Sequence, residues 1–175
     1  MIGFFDETSP QTTSNTQRLW SFTKPIICKN TTKLRANTFG FYALNGNSVI
    51  DFKENSKKES ICEFFGEIMS RNPGKTIVII LDNFSSHKAK DTAKFTEENG
   101  IILVFLPPYS PDLNPIEFIW KSIKKVISRE FIVDLNHMKQ IIGDGFRKYS
   151  SQLSFAKGWI EKFIDEEHKL EILGS

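Results

Sequence analysis

The chain has 175 residues, 39% hydrophobic and 25% charged, with a formal net charge of +2. That is enough for one domain with a real core, and too nearly neutral for anything but a local nucleic-acid footprint. Two cysteines in unrelated segments and no CxxC or Cys/His cluster exclude a disulfide-stapled scaffold and a zinc site, while the missing glycine-rich phosphate loop excludes nucleotide hydrolysis.

In chain order, Phe4-Phe-Asp-Glu-Thr8 reads as a first strand. Asp6 and Glu7 are adjacent, so a strand points them to opposite faces, and Phe4 shares the face of Asp6. The polar stretch Thr8 to Gln17 leads to a strand predicted around Ile26 and Ile27. Thr38 to Leu44 and Ser48 to Phe52 then form a hairpin about Asn45-Gly-Asn47, which implies antiparallel pairing. From Lys57 to Arg71, the stripe Ile61, Phe64, Phe65, Ile68 and Met69 predicts a helix stopped by Asn72-Pro-Gly74.

Thr76-Ile-Val-Ile-Ile-Leu81 is a β-branched run of the kind buried on both faces of a sheet. Asp82 therefore stands at a strand's C-terminal edge, where open α/β sheets place their chemistry. A helix from about Lys88 to Asn99 and a strand from Ile101 to Leu106 follow, giving a parallel pair with a right-handed crossover.

In Leu106-Pro-Pro-Tyr-Ser-Pro-Asp-Leu-Asn-Pro-Ile-Glu117 the prolines exclude regular structure until Asn114, which suits an N-cap, with Pro115 at N1 and Glu117 at N3. Asn-x-x-Glu also has the form of a capping box, in which Glu117 only closes the helix terminus. Glu117, Lys121, Lys124 and Lys125 recur at i, i+4, i+7 and i+8, so a carboxylate and three ammonium groups share one side. Ile116, Ile119, Trp120, Ile123 and Ile127 form the opposite, sheet-facing stripe. Asp112 reads as a turn residue.

Two further amphipathic helices are predicted, one carrying Leu135, Met138, Ile141, Ile142, Phe146 and Tyr149, the other Phe155, Trp159, Ile160, Phe163 and Ile164. Asp165-Glu-Glu167 reads as a solvated end. His137 and His168 lack paired ligands and are assigned no role. Besides Lys121, Lys124, Lys125 and Arg129, basic clusters occur at Lys88, Lys90 and Lys94, and at Arg18, Lys24, Lys29, Lys33 and Arg35. The first adjoins Glu117 and is the favoured phosphate-binding face, with sequence-independent, salt-sensitive contacts.

Leu81-Asp-Asn83 with His87, then the proline-rich motif ending at Glu117, with Trp120 beyond it, resembles the catalytic core of mariner-like and related bacterial insertion-sequence transposases, a DDE-type superfamily. The 34 residues between Asp82 and Glu117 match the interval used by a major branch of that superfamily. Phe4-Phe-Asp-Glu-Thr8, with Arg18 and Trp20 downstream, resembles the family's first catalytic strand. The resemblance covers most of residues 2 to 130. It departs at Trp20-Ser-Phe-Thr-Lys-Pro25, where relatives carry a basic residue and glycine after the tryptophan.

The resemblance implies a ribonuclease-H-like α/β fold, with three antiparallel strands and then parallel ones flanked by helices. Residues 1–175 form a single catalytic domain, and the family's N-terminal helix-turn-helix DNA-binding region is absent. It makes Asp6, Asp82 and Glu117 the catalytic acids and the ligands of two Mg²⁺ or Mn²⁺ ions. Asn83 and His87 would support those ligands or contact substrate. Carboxylates suit the task, because hard Mg²⁺ takes one or two of them per ion and keeps its other positions for water and substrate oxygens. Two such ions about 3.5 to 4 Å apart can activate a nucleophile, stabilise a leaving oxygen and neutralise the phosphorane.

The implied activity is DNA strand cleavage and strand transfer for an insertion-sequence element. The implied partners are DNA element ends, a TA target and a second copy of the chain, in a cytoplasmic, nucleoid-associated setting without membrane contact. The alternatives are a nuclease that never joins strands and a catalytically silent DNA-binding or dimerisation remnant.

Overall fold

The computed structural model describes residues 1–13, 22–23, 26, 28 and 30–173, without the side chains of 170, 171 and 173. Its elements are β1 (Ile2–Thr8), β2 (Thr38–Ala43), β3 (Val49–Phe52), α1 (Lys58–Arg71), β4 (Ile77–Leu81), α2 (Lys90–Glu98) and β5 (Ile101–Phe105). After these come α3 (Ile116–Ile127), α4 (Leu135–Ser150), α5 (Lys157–Phe163) and α6 (Glu166–Leu173).

The five strands form one sheet in the order β3-β2-β1-β4-β5. β1–β2 and β2–β3 are antiparallel, while β1–β4 and β4–β5 are parallel. This is the mixed sheet expected from a hairpin followed by a β-α-β crossover.

Each face of the sheet carries its own apolar layer, because neighbouring residues of a strand point opposite ways. Phe4, Tyr42 and Ile80 pack with Trp120, Ile123 and Phe146 of α3 and α4. Phe5, Phe39, Phe41 and Ile79 pack with Phe64, Phe65 and Ile68 of α1. The stripe of α3 is buried as its spacing requires, from Ile116 through Ile127.

Gly40 makes that docking close. A Cβ there would overlap the Trp120 ring, so only glycine lets the indole lie directly on β2. Trp120 stacks in turn on Phe146, with ring centroids 5.2 Å apart.

Three expectations need correction. Ile26 belongs to no strand and is exposed, while Ile27 lies outside the described residues. The last predicted stripe is divided between a 3₁₀ turn at Leu153–Phe155 and α5, because the segment turns at Ala156. Asp165-Glu-Glu167 is exposed, as a solvated run should be, but it opens α6 instead of ending the fold: the Asp165 carboxylate accepts from the His168 N–H at 3.0 Å, and Ile172 is buried.

Candidate active site

Strand alternation places Phe4 and Asp6 toward α3, and Phe5 and Glu7 toward α1. The parallel register that sets Phe4 beside Ile80 brings Asp6 level with Asp82, two residues further on. Glu117 arrives from the first turn of α3, whose seat on Gly40 is also the β2 position opposite Asp6. Asp6, Asp82 and Glu117 thus line one cavity of about 410 Å³, together with Asn83, Asn114 and the turn from Leu106 to Pro111.

The turn is shaped by more than its prolines. Tyr109 at the rim is fully exposed and held at φ 58°, a left-handed conformation that non-glycine residues rarely adopt. Asn114 does not cap α3. Pro115 occupies that place with no side-chain cap, and the Asn114 amide reaches back 3.4 Å to the Phe5 carbonyl, tying the turn to β1. Glu117 forms no capping box and faces the cavity.

The electrostatics are uneven. Burial pushes the Asp6 carboxyl well above the usual aspartate range, and repulsion from Glu117, Glu7 and Asp82 pushes it further. Asp82 moves the opposite way, mainly through its hydrogen bond from His87, helped by the Phe84 N–H at 3.0 Å.

His87 is only 1% exposed and links two carboxylates. Nδ1 donates to Asp82 Oδ1 at 2.8 Å and Nε2 to Glu7 Oε2 at 3.0 Å. Burial alone would lower its pKa, but the hydrogen bonds and charges of Asp82 and Glu7 outweigh burial and raise it to about 10, so both nitrogens carry protons. Phe5 and Phe84 pack edge-on against the ring. The Asn83 amide donates to the Leu106 carbonyl and joins the loop after β4 to the end of β5.

Glu7 is the residue that sequence reasoning missed. Alternation sends it away from Asp6, and no spacing shows that the loop after β4 carries His87 to meet it on that face.

Among the described residues, no three His, Cys, Asp or Glu side chains are gathered closely enough to form a ready-made metal cluster. Asp82 is engaged with His87 and the Phe84 N–H.

A second hollow of about 410 Å³ adjoins the first through the shared residues Pro111 and Glu117, and Lys121, Lys124 and Lys125 line it. Arg129 follows the helix cap Ser128 and is not in that lining. Lys88 sits 5.3 Å over the Phe105 ring, and Lys94 pairs with Glu98 at 3.8 Å. Arg18, Trp20, Lys24 and Lys29 lie outside the described residues. No described helix is long and apolar enough to cross a membrane.

Carboxylates on β1, just after β4 and on α3, around one cavity, repeat the order of the motif comparison, and residues 1–139 match the family model of the DDE superfamily endonucleases. The chain belongs to this DDE endonuclease family. Over 56 residues it is 36% identical to the insertion element IS630 uncharacterized 39 kDa protein of Shigella sonnei, covering 31% of this chain and 16% of that protein. Over 67 residues it is 39% identical to the uncharacterized protein y4pE/y4sA of Sinorhizobium fredii, covering 38% of this chain and 47% of that protein. The aligned segments thus span less than half of either relative.

Among solved structures, the DDE-family fold resembles the Mos1 mariner paired-end complex with Mn, with a TM-score of 0.67, 16% identity and coverage of 84% of this chain and 48% of that one. The Mos1 mariner transposase catalytic domain matches with a TM-score of 0.55 and 12% identity over 86% and 77% of the two chains. These likenesses establish the ribonuclease-H-like fold.

Proposed function

We propose that this chain is the catalytic unit of an insertion-sequence transposase, cutting DNA at element ends and transferring the freed strand to target DNA. The observation that carries the reading is one cavity lined by three carboxylates, two of which, Asp6 and Glu117, have no cationic partner among the described residues.

The donor set fits a hard divalent cation. All three side chains offer oxygen only; burial first and repulsion from neighbouring carboxylates second hold the Asp6 carboxyl high, and positive charge would relieve the repulsive part. Asp6, Asp82 and Glu117 would hold two Mg²⁺ or Mn²⁺ ions. Such ions, when bound, lower the pKa of a water and neutralise charge building on the phosphate.

The protein's own groups do the rest. β1 fixes Asp6 in the floor of the cavity, His87 braced by Glu7 orients Asp82, and Asn83 fixes the loop that bears it. Lys121, Lys124 and Lys125 offer ammonium groups to backbone phosphates just beyond Glu117, and Arg129, just past the end of α3, is proposed to extend that contact. The proposed partners are two DNA ends and a TA target, engaged by a homodimer in a nucleoid-associated, cytoplasmic setting. Residues 1–175 act as one catalytic domain, and recognition of the element ends belongs to a separate helix-turn-helix module.

Thermal unfolding of the chain and its Asp82→Asn variant, with and without millimolar Mn²⁺, tests the site. At 100 times Kd the ion adds about 2.7 kcal/mol of stability, a rise of roughly 5 to 10 °C for a domain of this size. The rise is expected in the parent alone, and equal responses would refute the metal site. Strand cleavage by the assembled complex should fall at least about 10³-fold in Asp6→Asn, Asp82→Asn or Glu117→Gln. Products with joined strands distinguish a transposase from a simple nuclease.

A further inference from the structure

The acid cavity opens in a second direction, away from the lysines of α3. A hollow of about 210 Å³ shares Asp6 and Asp82 with it and continues past Arg35, Ser56 and Phe84. Those three residues also line a larger trough of about 760 Å³, which extends to Leu135 and Lys139 of α4. The carboxylates therefore stand midway along a continuous depression with cations at both ends.

The chemistry of the trough is selective. Lys53 in its wall is outnumbered by Asp51, Glu63 and Glu67, and Glu54 adds a further negative charge. Arg35 and Lys139 have no ion-pair partner among the described residues; the Lys139 ammonium instead lies 5.3 Å over the Phe52 ring. Phe84, 48% exposed, lines both hollows, as Arg35 does, while Lys139 lies only in the larger one.

The Phe84 ring is held in place. Its edge packs on His87 at 5.7 Å and its N–H donates to Asp82, so the aromatic surface is fixed two residues from a cavity carboxylate. A single exposed aromatic is ordinary on a protein surface. One fixed beside the acid cavity, with Arg35 alongside it and Lys139 beyond it, matches the stacking platform and electrostatic track that bind single-stranded nucleic acid. A duplex hides its base faces in the stack, so only an unpaired nucleotide can lay one on the ring.

We propose that the trough between Phe84 and Lys139 is a subsite for a single DNA strand leaving the acid cavity. An unstacked base lies on Phe84, and backbone phosphates meet Arg35 and Lys139. This inference rests on the DNA-processing function proposed above and adds the path and pairing state of the substrate.

The test is fluorescence anisotropy of a labelled single-stranded oligonucleotide across a salt series, run beside the Mn²⁺ unfolding measurement. Phe84→Ala is expected to weaken binding about fivefold or more, and Phe84→Trp to restore it. An Arg35→Ala/Lys139→Ala double variant is expected to lower the slope of log K against log salt by about 0.7 for each lost contact. Mn²⁺ should still stabilise every one of these variants.

Parent-like affinity in Phe84→Ala, together with an unchanged salt slope in the double variant, would overturn the subsite. If Mn²⁺ still stabilised the parent in that case, the metal site would stand without it. A parent that neither binds the strand nor responds to Mn²⁺ would sink both readings. Failure of Phe84→Trp to recover what Phe84→Ala loses would assign the loss to disturbed packing on His87, and would also overturn the stacking role.

Discussion

Two carboxylate clusters in this molecule differ in how their charges are paired. On the α1 side, Asp51, Glu63 and Glu67 surround one lysine, Lys53, at 2.7, 3.1 and 2.6 Å, with the Lys53 side chain only 7% exposed. At the strand ends, Asp6, Asp82 and Glu117 face a shared cavity, and the one buried cation nearby, His87, is turned to Asp82 and Glu7 instead of Asp6. The first cluster encloses a lysine that pairs with all three carboxylates, although burial and the nearby Asp51 still hold the Glu67 carboxyl above its ordinary range. The second leaves its most buried carboxylate repelled by its neighbours. That difference marks one as scaffold and the other as a site awaiting positive charge.

Removing the built-in cation should produce the largest stability change. Lys53→Met leaves carboxylates facing one another, and a loss of about 2 to 3 kcal/mol is expected in denaturant titration. This is below the full cost of breaking a buried pair, because the carboxylates keep some solvent. An unchanged midpoint would remove the contrast between the clusters.

The same lysine has a pH signature. Burial would lower the Lys53 pKa, but hydrogen bonds from its ammonium to Asp51, Glu67 and Glu63 raise it instead. A cation with a raised folded pKa contributes stability that is fully present below its unfolded value, about 10.4, and is lost as pH rises through the folded value. The gap in Tm between parent and Lys53→Met should therefore hold at neutral pH and close in strong alkali.

Gly40→Ala sharpens the comparison by disturbing the acid cavity without touching an acid. The added methyl displaces Trp120 and with it α3, so a loss of about 1 to 3 kcal/mol is expected, with a smaller Mn²⁺ response as Glu117 moves off. A full Mn²⁺ response would show that Glu117 is not held by that packing. The smallest effect has the opposite sign. Asp6→Asn removes charge from a repulsive pocket and should raise metal-free stability by about 1 kcal/mol, read as a Tm higher by about 2 to 4 °C. A drop in Tm would mean that Asp6 is satisfied as it stands.

Much of this was legible in the residues. The β-branched run before Asp82, the hairpin turn at Asn45-Gly-Asn47 and the stripes of α1, α3 and α4 fixed the elements, because periodicity and turn chemistry are local properties. Alternation put Asp6 and Glu7 on opposite faces, the family resemblance selected Asp6, and the stripe of α3 turned Glu117 and its lysines away from the core. The strand expected near Ile26 failed, and the run at Asp165, solvated as expected, starts a helix instead of ending the fold, because short segments carry too little periodic signal to decide their state.

Tertiary structure decided what depends on distance between remote segments. The parallel register of β1 and β4 set Asp6 level with Asp82, and the close contact of Trp120 with Gly40 set the seat of α3. His87 became a bridge only because the loop after β4 folds back over Glu7, 80 residues earlier in the chain. Local pattern determines which side of an element a residue faces. Which other residue it meets there depends on sheet register and close packing, and those are settled only when the whole chain is folded.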